Sequence, residues 1–415
     1  MMERREAILI EHWPASAGVG DAGTWGRGAA DPETPALVAA GRPRRFFLKP
    51  IETIEARSME DARRCLDRIE SSRRRLDGPD RPWVSGWVGF VSYEWGRRML
   101  LGPQTGTWGR GAADPETQCL PLIRFSRVCV DPSRTFRGTE RADFPRHRLR
   151  HSSDRRGEYL RKIGRIQEEL RRGNVYEVNL SQRWTWQFDA EAQMIPLFSE
   201  LSRAMRPRFG YADLSGDGTA LLCFSPERFF SVRSRRIMAE PIKGTSVTRG
   251  ALLRSGKERA ELLMITDLFR NDFGRICRPG SIRAEGPFVL ELPYAFHLFS
   301  RVRGTLTPMA GVAEVLTALF PSASVTGAPK LAAVRLIDRL EPFRREEAFG
   351  AIGWIGKDRM EFAVSIRTAL YRRRRLRYTS GGGITIYSDP KKEYEESLLK
   401  AVRVKETLAR LQTVS

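Results

Sequence analysis

The chain has 415 residues and is 41% hydrophobic and 9% aromatic, which excludes a disordered protein and is typical of a globular one with a sizeable core. Its net charge of +21 is common in nucleic-acid-binding proteins, but basic residues are spread along the chain and no nucleic-acid-binding motif is found, so we expect no nucleic-acid partner. Scattered cysteines, and the lack of a signal peptide or of an apolar run of about 18 residues, lead us to expect a cytoplasmic protein without a membrane span.

The first 150 residues are predicted to form an N-terminal region. The segment GTWGRGAADPET occurs twice, at 23–34 and 106–117, and its composition predicts surface loops without an assigned function. Between the copies, RPWVSGWVGFVSYEWG (81–96) is apolar and interrupted by glycine, which predicts a pair of buried strands. Residues 130–156 are polar and predict a linker to a C-terminal domain over 151–415.

The C-terminal domain opens with a predicted helix and strand. In EYLRKIGRIQEELRRGN, apolar residues recur every three to four positions up to Gly173, a helical pattern, and VYEVNLSQRWTWQF then alternates as a strand does. The basic run YRRRRLRY (371–378) is interpreted as a charged face of an edge strand. Because strands and helices do not alternate strictly, we predict an α+β fold, with two antiparallel-rich sheets packed as a sandwich and helices outside.

Two predicted helices each carry a pair of glutamates three residues apart. Glu258 and Glu261 lie in GKERAELLMITDLFRNDFGRI, and Glu393 and Glu396 lie in a helix that begins after Asp389-Pro390. Carboxylates from two helices could hold a divalent cation such as Mg²⁺. The spacing alone is equally that of a solvated helix surface, which is the commoner case.

Three further features allow both a functional and a structural interpretation. In FPSASVTGAPK, Thr326 is predicted to cap a helix with Pro329 in its first turn, and the free N–H groups there could bind an anion or nothing. The run Gly381 to Gly383 permits close approach to a ligand, although such a run is a weak signal. His297, in the apolar LPYAFHLFSRV, is by its context more typical of a core residue than of an acid or base.

Taken in order, nine stretches between about 155 and 405 resemble the chorismate-utilising enzymes. They are GNVYEVNLSQRW, CFSPERFF, EPIKGT, AELLMITDLFRND, HLFSRVRGTL, FPSASVTGAPK, FGAIGWIG, FAVSIRTAL and GGGITIYSDPKKEYEESLLKA. That family includes component I of anthranilate synthase and of aminodeoxychorismate synthase, and the isochorismate and salicylate synthases. The stretch GWVGFVSYEWG resembles the family's N-terminal region.

Two of these stretches resemble the aminodeoxychorismate-forming members in particular. Those relatives usually read PIKGT, as here around Lys243, whereas anthranilate-forming relatives usually read PIAGT; SVTGAPK agrees with the former. The resemblance implies that chorismate and ammonia are the substrates. We find no glutaminase-like stretch, so we expect a separate glutamine amidotransferase subunit as partner. Anthranilate synthase, isochorismate synthase and a nucleic-acid-binding protein are the alternatives.

The resemblance implies roles for three catalytic residues. The Lys243 amine would attack chorismate, which requires a neutral amine, so we expect burial or neighbouring cations, such as Mg²⁺ and Arg367, to lower its pKa from about 10.4. A lysine that simply pairs with a glutamate is the alternative. Glu227 would protonate the departing hydroxyl, and His297 occupies the position that assists pyruvate release in anthranilate-forming relatives, a role expected to be muted here.

The resemblance also implies binding residues and shows departures. Glu261, Glu393 and Glu396 would hold Mg²⁺, and a further set would bind the substrate, namely Thr245, Thr326, Gly327, Arg367, Gly382 and Gly383. Glu177 stands where relatives often have glutamine and isochorismate synthases have lysine, which puts the handling of ammonia in question. Ala348 and Trp354 replace tyrosines of many relatives, which puts substrate positioning in question.

Overall fold

The computed structural model describes residues 7–12, 44–48, 50–74, 85–102, 120–129, 144–214, 218–246, 248–292 and 295–413. The strands of this part of the chain are β1 (Ala7–His12), β2 (Arg44–Leu48), β3 (Pro50–Ala56), β4 (Ser85–Val91), β5 (Ile123–Cys129), β6 (His147–Ser152), β7 (Glu177–Phe188), β8 (Phe209–Leu214), β9 (Ala220–Ser225), β10 (Arg228–Arg233), β11 (Arg236–Ala239), β12 (Ile242–Ser246), β13 (Arg283–Leu292), β14 (Ala295–Thr305), β15 (Gly327–Ala328), β16 (Ala351–Ile355), β17 (Arg359–Val364), β18 (Thr368–Arg372) and β19 (Arg375–Ile384).

The helices of the described residues follow the same chain order. They are α1 (Met59–Arg73), α2 (Tyr93–Leu101), α3 (Arg156–Arg171), α4 (Met194–Met205), α5 (Arg249–Arg254), α6 (Gly256–Gly274), α7 (Val312–Leu319), α8 (Lys330–Leu340) and α9 (Pro390–Thr413), with a 3₁₀ turn over Ala323–Val325.

Two antiparallel sheets form the framework. The first sheet has the order β15-β7-β19-β18-β9-β8-β1-β2, with β6 also paired to β7. The second has the order β12-β14-β11-β10-β17-β16-β4-β5-β3, with β13 also paired to β14. Strands from before and after residue 150 pair in both sheets, since β1 pairs with β8 and β4 pairs with β16. The predicted antiparallel-rich α+β architecture is therefore confirmed.

The two sheets pack face to face through a buried apolar cluster. Its members come from the alternating inward positions of both sheets and are Val88, Phe90, Val128, Phe209, Tyr211, Leu221, Cys223, Ile352, Trp354 and Ala363. The outer face of the second sheet packs on α1, α6 and α7, and that of the first sheet packs on α4 and α9. These five helices bury apolar residues against the sheets, as amphipathic spacing requires.

The helices and strands predicted from periodicity agree with the structure at four places. Helix α3 buries Ile163 and Ile166 and is followed by Gly173 at φ +75°, and β7 begins four residues later. Helices α6 and α9 occupy the two glutamate-bearing segments. Helix α9 begins after Asp389, whose Oδ1 accepts hydrogen bonds from two backbone N–H groups of the first turn at 2.9 Å.

The prediction of two strands over 81–96 is wrong. The described part of this segment forms the single strand β4 and then the start of α2, because the Ser92 side chain accepts a hydrogen bond from the Glu94 N–H and caps the helix. Gly89 lies inside β4, where a side chain would meet the Cα of Phe125 at 2.7 Å. Its role is therefore close strand packing, and it does not mark a turn.

Three smaller predictions are also corrected. Part of the expected linker over 130–156 forms β6, which pairs with β7. The basic run 371–378 is a hairpin between β18 and β19 in the interior of the first sheet, with Arg373 and Arg374 at positive φ in its turn. Helix α8 is preceded by Pro329 at its N-cap, and Thr326 follows the 3₁₀ turn, before β15, and does not cap α8.

The remaining predictions concern the repeated segment, the linker, the membrane span and the cysteines. Both copies of the repeated 12-residue segment, and residues 130–143 of the expected linker, lie outside the described residues. Among the described residues, no helix is long and apolar enough to cross a membrane. Three of the five cysteines, Cys65, Cys223 and Cys277, are described as buried free thiols.

Candidate active site

Lys243 lies on β12 at one end of the second sheet, where a bulge interrupts the pairing with β14. Lys243 pairs with Leu298 and Thr245 pairs with His297, so Gly244 is the extra residue between them. Gly244 has φ +76°, and a side chain there would lie 2.6 Å from the Glu258 carboxylate. Glycine is therefore required in the KGT sequence for this backbone path.

The Lys243 side chain extends from the second sheet towards the first, where its amine forms a buried ion pair with Glu177. Its Nζ donates a hydrogen bond to Oε1 of Glu177, at the start of β7, and a long one of 3.4 Å to the carbonyl oxygen of Ser324. Both charged side chains are buried. A side chain at Gly383 on β19 would collide with Glu177 Oε1 and reach 3.0 Å from Lys243 Nζ. The last glycine of the GGG run thus leaves room for this pair.

The expectation that the surroundings lower the pKa of Lys243 is wrong for the described protein. Burial pushes this pKa down, but the carboxylates of Glu177, Glu261 and Glu227 more than offset it, so the pKa of Lys243 is raised. Before substrate binds, Lys243 is therefore an ammonium. The pairing with a glutamate that sequence analysis left as the alternative is present in the structure.

Glu227 lies between β9 and β10, close to the same amine. Burial raises the pKa of this carboxyl to about 7, although Ser324 and the charge of Lys243 act in the opposite direction. Its Oε1 has no hydrogen-bond partner among the described residues. A carboxyl that is substantially protonated near neutral pH can donate a proton to a leaving oxygen.

The predicted metal-binding glutamates come together from two helices. The Cβ of a side chain at Gly382 would lie 3.5 Å from an oxygen of Glu393 and 3.9 Å from one of Glu396, so both face this strand. Glu261 of α6 accepts a hydrogen bond of 3.2 Å from Thr385 Oγ1. Burial raises the pKa of Glu261 to about 7. Glu258, the other predicted neighbour, faces Gly244 instead.

Two lysines that the sequence analysis did not single out neutralise these carboxylates. Lys257 Nζ lies 3.1 Å from Glu393 Oε1 and 3.7 Å from Glu261 Oε1. Lys400 Nζ lies 2.7 Å from Glu396 Oε1 and donates a hydrogen bond of 2.7 Å to the carbonyl of Gly381. Each lysine stands four residues from a site glutamate on its helix, a spacing that could have been recognised in the sequence.

The donor chemistry of this cluster fits a hard divalent cation. Carboxylate and hydroxyl oxygens are the groups that Mg²⁺ prefers, and Lys257 already places a positive charge between two of the carboxylates. Within the described ranges, however, no three carboxylate, histidine or cysteine side chains stand close enough to ligate one ion. A divalent cation at this cluster would bring its positive charge beside that of Lys257.

His297 and Arg367 lie near each other, His297 on the strand that pairs with β12 and Arg367 in the connection between β17 and β18. His297 is buried on β14, and its Nδ1 is 3.0 Å from Thr245 Oγ1. Burial, together with the nearby charges of Arg367 and Lys400, lowers the pKa of His297 to about 3, so this imidazole is neutral at ordinary pH. Arg367 has φ +53°, and its carbonyl accepts a hydrogen bond from the Phe224 N–H. The arginine and lysine charges suit an anionic ligand.

Thr326 and Gly327 lie where the first sheet approaches Lys243. Gly327 pairs with Val178 of β7, and its φ of +125° together with close contact to the Glu177 backbone leaves no room for a side chain. Thr326 is fully buried, and its carbonyl accepts the Asn179 N–H at 2.9 Å. These residues therefore fix the start of β7 and the position of Glu177.

Comparisons with known proteins identify the family to which this chain belongs. A relative from Klebsiella aerogenes, named aminodeoxychorismate synthase component 1, is 34% identical over 358 residues, which cover 79% of this chain and 78% of the relative. An anthranilate synthase component 1 from Saccharolobus solfataricus is 35% identical over 260 residues, or 59% of this chain and 61% of that one. A family model described as chorismate binding enzyme matches residues 33–406. The chain belongs to the chorismate binding enzyme family.

A solved structure confirms the fold of this chorismate binding enzyme. Anthranilate synthase component I from Streptococcus pneumoniae TIGR4 superposes with a TM-score of 0.71 at 23% identity and covers 87% of this chain and 90% of its own. At this identity the similarity shows the fold alone. Membership of the family makes chorismate the substrate, a dianion that suits the positive charges of Lys243, Arg367 and Lys400.

Two departures noted in the sequence lie in the core of this chorismate binding enzyme. Ala348 is buried in the cluster beneath the second sheet, together with Tyr93 and Phe320. Trp354 lies on β16 in the cluster between the sheets. Both side chains therefore serve packing in the described structure.

Proposed function

We propose that this chain is component I of an aminodeoxychorismate synthase, which converts chorismate and ammonia into 4-amino-4-deoxychorismate, a precursor of p-aminobenzoate. The observation that carries the proposal is the buried amine of Lys243 close to Glu227, at the position where alanine is usual in anthranilate-forming relatives. The name and extent of the Klebsiella aerogenes relative support the same choice.

In the proposed reaction Lys243 is a transient nucleophile. Its neutral Nζ forms a bond to ring carbon 2 of chorismate, the two ring double bonds shift, and the C4–O bond breaks as Glu227 protonates the departing hydroxyl to give water. Ammonia then bonds to carbon 4, the double bonds shift back, and the bond between carbon 2 and Nζ breaks. One difficult displacement is replaced by two easier steps.

The remaining groups position the dianionic substrate. Arg367 would pair with a substrate carboxylate, and the backbone at Gly382 and Gly383 would help to seat the same anions. Gly383 lies against Lys243 and Glu177, and Gly382 lies against Glu393 and Glu396. Glu261, Glu393 and Glu396 would hold Mg²⁺, which would supply positive charge to the ring carboxylate. His297, neutral and bonded to Thr245, would support the bulge of β12 and would not act as an acid.

The ammonia is proposed to come from a separate glutamine amidotransferase subunit, as the component 1 name of the relative suggests. The purified chain alone should therefore turn over chorismate with ammonium salts and not with glutamine. Turnover with glutamine by this chain alone would contradict the proposed partner while leaving the amination chemistry in place.

The product of the reaction tests the proposal directly. Chorismate, Mg²⁺ and ammonium are incubated with the wild-type chain and with Lys243→Ala. The products are then separated, and their masses are determined by mass spectrometry. We expect aminodeoxychorismate from the wild type, which an added lyase converts to p-aminobenzoate, and none from the variant. Formation of a different product by the wild type would overturn the proposal.

Anthranilate synthase is the second candidate, because a relative and a solved structure of this fold carry that name. Anthranilate is fluorescent and aminodeoxychorismate is not, so the same incubation separates the two. Fluorescent product formed without a lyase would favour the anthranilate activity.

A further inference from the structure

Glu177 is a glutamate at a position where relatives often have glutamine, and the structure places it against Lys243. Glu177 is fully buried at the start of β7, and Lys243 Nζ donates its hydrogen bond to Oε1. The two residues are 66 positions apart and belong to different sheets. Nothing in the proposed reaction so far explains how an ammonium at Lys243 becomes a neutral amine.

We propose that Glu177 is the proton acceptor that converts Lys243 from an ammonium into the nucleophilic amine. This inference rests on the proposed function. The Nζ–H bond breaks and an Oε1–H bond forms, so that both members of the pair become neutral without a proton leaving the site. After ammonia expels Nζ from ring carbon 2, the proton returns from Glu177 to Lys243, which restores the starting state of the pair. The ammonium group formed at carbon 4 gives up the proton that regenerates the acid form of Glu227.

The hydrogen bonding of Glu177 suits such a transfer. Oε2 of Glu177 is buried and has no partner within the described ranges, so the carboxylate is held by the Lys243 amine alone in this part of the chain. Glu240 shows the opposite arrangement, because it accepts hydrogen bonds from Arg208, Arg228 and Arg301, and these cations hold its pKa far below the usual range. A carboxylate that accepts hydrogen bonds from three arginines is too weak a base to take a proton from a neighbouring group.

Backbone geometry keeps the donor and the acceptor together. Gly383 leaves the space that the pair occupies, and Gly327 holds the start of β7 against the turn that contains Ser324. Other charged groups also face Lys243 from the elements packed around it. They are Glu227 between β9 and β10, Glu258 and Glu261 on α6, and Glu396 on α9. Among the described residues, the Lys243 amine donates its hydrogen bonds to Glu177 and to the Ser324 carbonyl and to none of these four, which distinguishes Glu177 from them.

The role of Glu177 gives a distinctive pH dependence. In the wild type, one proton lies either on Lys243 or on Glu177. The reactive form is the one in which the proton lies on Glu177 and both residues are neutral. As long as the pair keeps this proton, the fraction of enzyme in the reactive form does not change with pH. In Glu177→Gln the proton of Lys243 must leave to solvent, and the reactive fraction falls about tenfold for each pH unit below the pKa of the lysine. Both proteins contain the other titrating groups, such as Glu227. The effect of these groups on kcat therefore cancels when the wild-type rate is divided by the Glu177→Gln rate.

The experiment measures kcat at saturating chorismate, Mg²⁺ and ammonia for the wild type, Glu177→Gln and Glu177→Asp between about pH 6 and 9. We expect the ratio of wild-type to Glu177→Gln kcat to rise steeply as pH falls. For Glu177→Asp, which keeps a carboxylate, we expect a constant ratio. Thermal unfolding of each variant confirms that it is folded, and glutamine is the residue that relatives often have at this position.

Two results would overturn the role of Glu177. One is a ratio of wild-type to Glu177→Gln kcat that is constant with pH. The other is a Glu177→Gln enzyme that is faster than the wild type at acidic pH, which would mean that Glu177 only keeps Lys243 charged. The proposed function fails separately, if the wild type forms no aminodeoxychorismate or if Lys243→Ala is as active as the wild type.

Discussion

At the scale of single residues, the site consists of a buried amine between a glutamate that pairs with it and a carboxyl whose pKa burial raises to about 7. Lys243, Glu177 and Glu227 occupy three different strands or connections of the two sheets. Their proton affinities differ because their surroundings differ: Lys243 is stabilised as a cation by carboxylates, whereas Glu227 is buried with few donors. The arrangement separates a nucleophile from an acid, as the proposed chemistry requires.

Replacement of Glu227 by glutamine should remove the acid that protonates the leaving hydroxyl. We expect kcat to fall by roughly 10²–10⁴-fold, the usual contribution of a general acid. Because the pKa of Glu227 is raised to about 7, the acid form is present below that pH, and wild-type activity attributable to it should decline as pH rises through about 7. Steady-state rates across pH check this, and a variant that keeps both the rate and the decline would contradict the role.

Replacement of Gly383 by alanine should disturb the Lys243–Glu177 pair directly. The added methyl group would collide with Glu177 Oε1 and lie 3.0 Å from Lys243 Nζ, so we expect loss of most activity in a folded protein. Gly164→Ala is the matched control, since a side chain there meets nothing within 4 Å on α3, and it should leave the rate unchanged. Equal activity of the two variants would show that the pair tolerates displacement.

Sequence analysis assigned the proposed nucleophile and acid by resemblance, and its prediction that the surroundings lower the pKa of Lys243 is wrong for the described protein. The identity of Lys243 and Glu227 is a property of local motifs, whereas the pKa of each depends on which carboxylates approach it in space. Glu177 was noticed only as a departure, because its contact with Lys243 joins two sheets and leaves no pattern in the sequence.

At the scale of secondary structure, α6 and α9 bring the metal-binding candidates together. Each helix carries a site glutamate and, one turn away, a lysine that neutralises a carboxylate of the cluster. Lys257 of α6 also contacts Glu393 of α9, so this lysine joins the two helices. We expect a cation that binds here to compete with the Lys257 amine, which lies between Glu261 and Glu393.

Lys257→Gln should therefore bind Mg²⁺ more tightly than the wild type while being less stable without it. The variant removes the amine that lies between Glu261 and Glu393, so we expect several-fold higher affinity by calorimetric titration and a lower melting temperature in a chelator. Lys391 is an exposed lysine on α9, and Lys391→Gln is the control. This variant should change neither the affinity for Mg²⁺ nor the melting temperature. Weaker Mg²⁺ binding by Lys257→Gln would contradict competition between lysine and metal.

Secondary structure was predictable where one face of an element is apolar at a regular period. Helices α3, α6 and α9 and strand β7 carry such patterns, and their caps or terminal glycines stand at the expected places. The segment 81–96 was mispredicted because glycine in β4 serves close packing against β5 and was interpreted as a break. The basic run at 371–378 was mispredicted because strand order is a tertiary property.

At the scale of the whole molecule, a buried charge cluster connects the two sheets near the site. Glu240, between β11 and β12, accepts hydrogen bonds from Arg208 before β8, Arg228 of β10 and Arg301 of β14. These cations outweigh the opposing effect of burial and hold the pKa of Glu240 well below its usual range. The cluster therefore fixes the chain just before Lys243 relative to both sheets.

Loss of the Glu240 charge should destabilise the protein. Removal of one partner from a buried ion pair costs about 3–5 kcal/mol, and we expect a fall of this order in the free energy of unfolding of Glu240→Gln. Since the pKa of Glu240 is depressed in the folded state, its contribution is present above the ordinary carboxyl pKa and is lost as pH falls. Denaturant unfolding at neutral and acidic pH measures both effects.

The exposed pair of Glu285 and Arg303 provides a control for this measurement. Glu285→Gln should change the free energy of unfolding by less than about 1 kcal/mol, because exposed ion pairs are screened by solvent. A change in Glu240→Gln as small as that in Glu285→Gln would show that the cluster does not stabilise the fold.

A covalent bond between Lys243 and the ring of chorismate is the central claim, and it is tested most directly by peptide mass mapping. Wild-type protein and Lys243→Ala are mixed with chorismate and Mg²⁺ without ammonium, quenched, digested and analysed by mass spectrometry. The account predicts a ring adduct on the peptide that contains Lys243 and disappearance of this adduct when ammonium is added before the quench. An unmodified Lys243 peptide, together with conversion of chorismate and ammonium by Lys243→Ala at the wild-type rate, would contradict it.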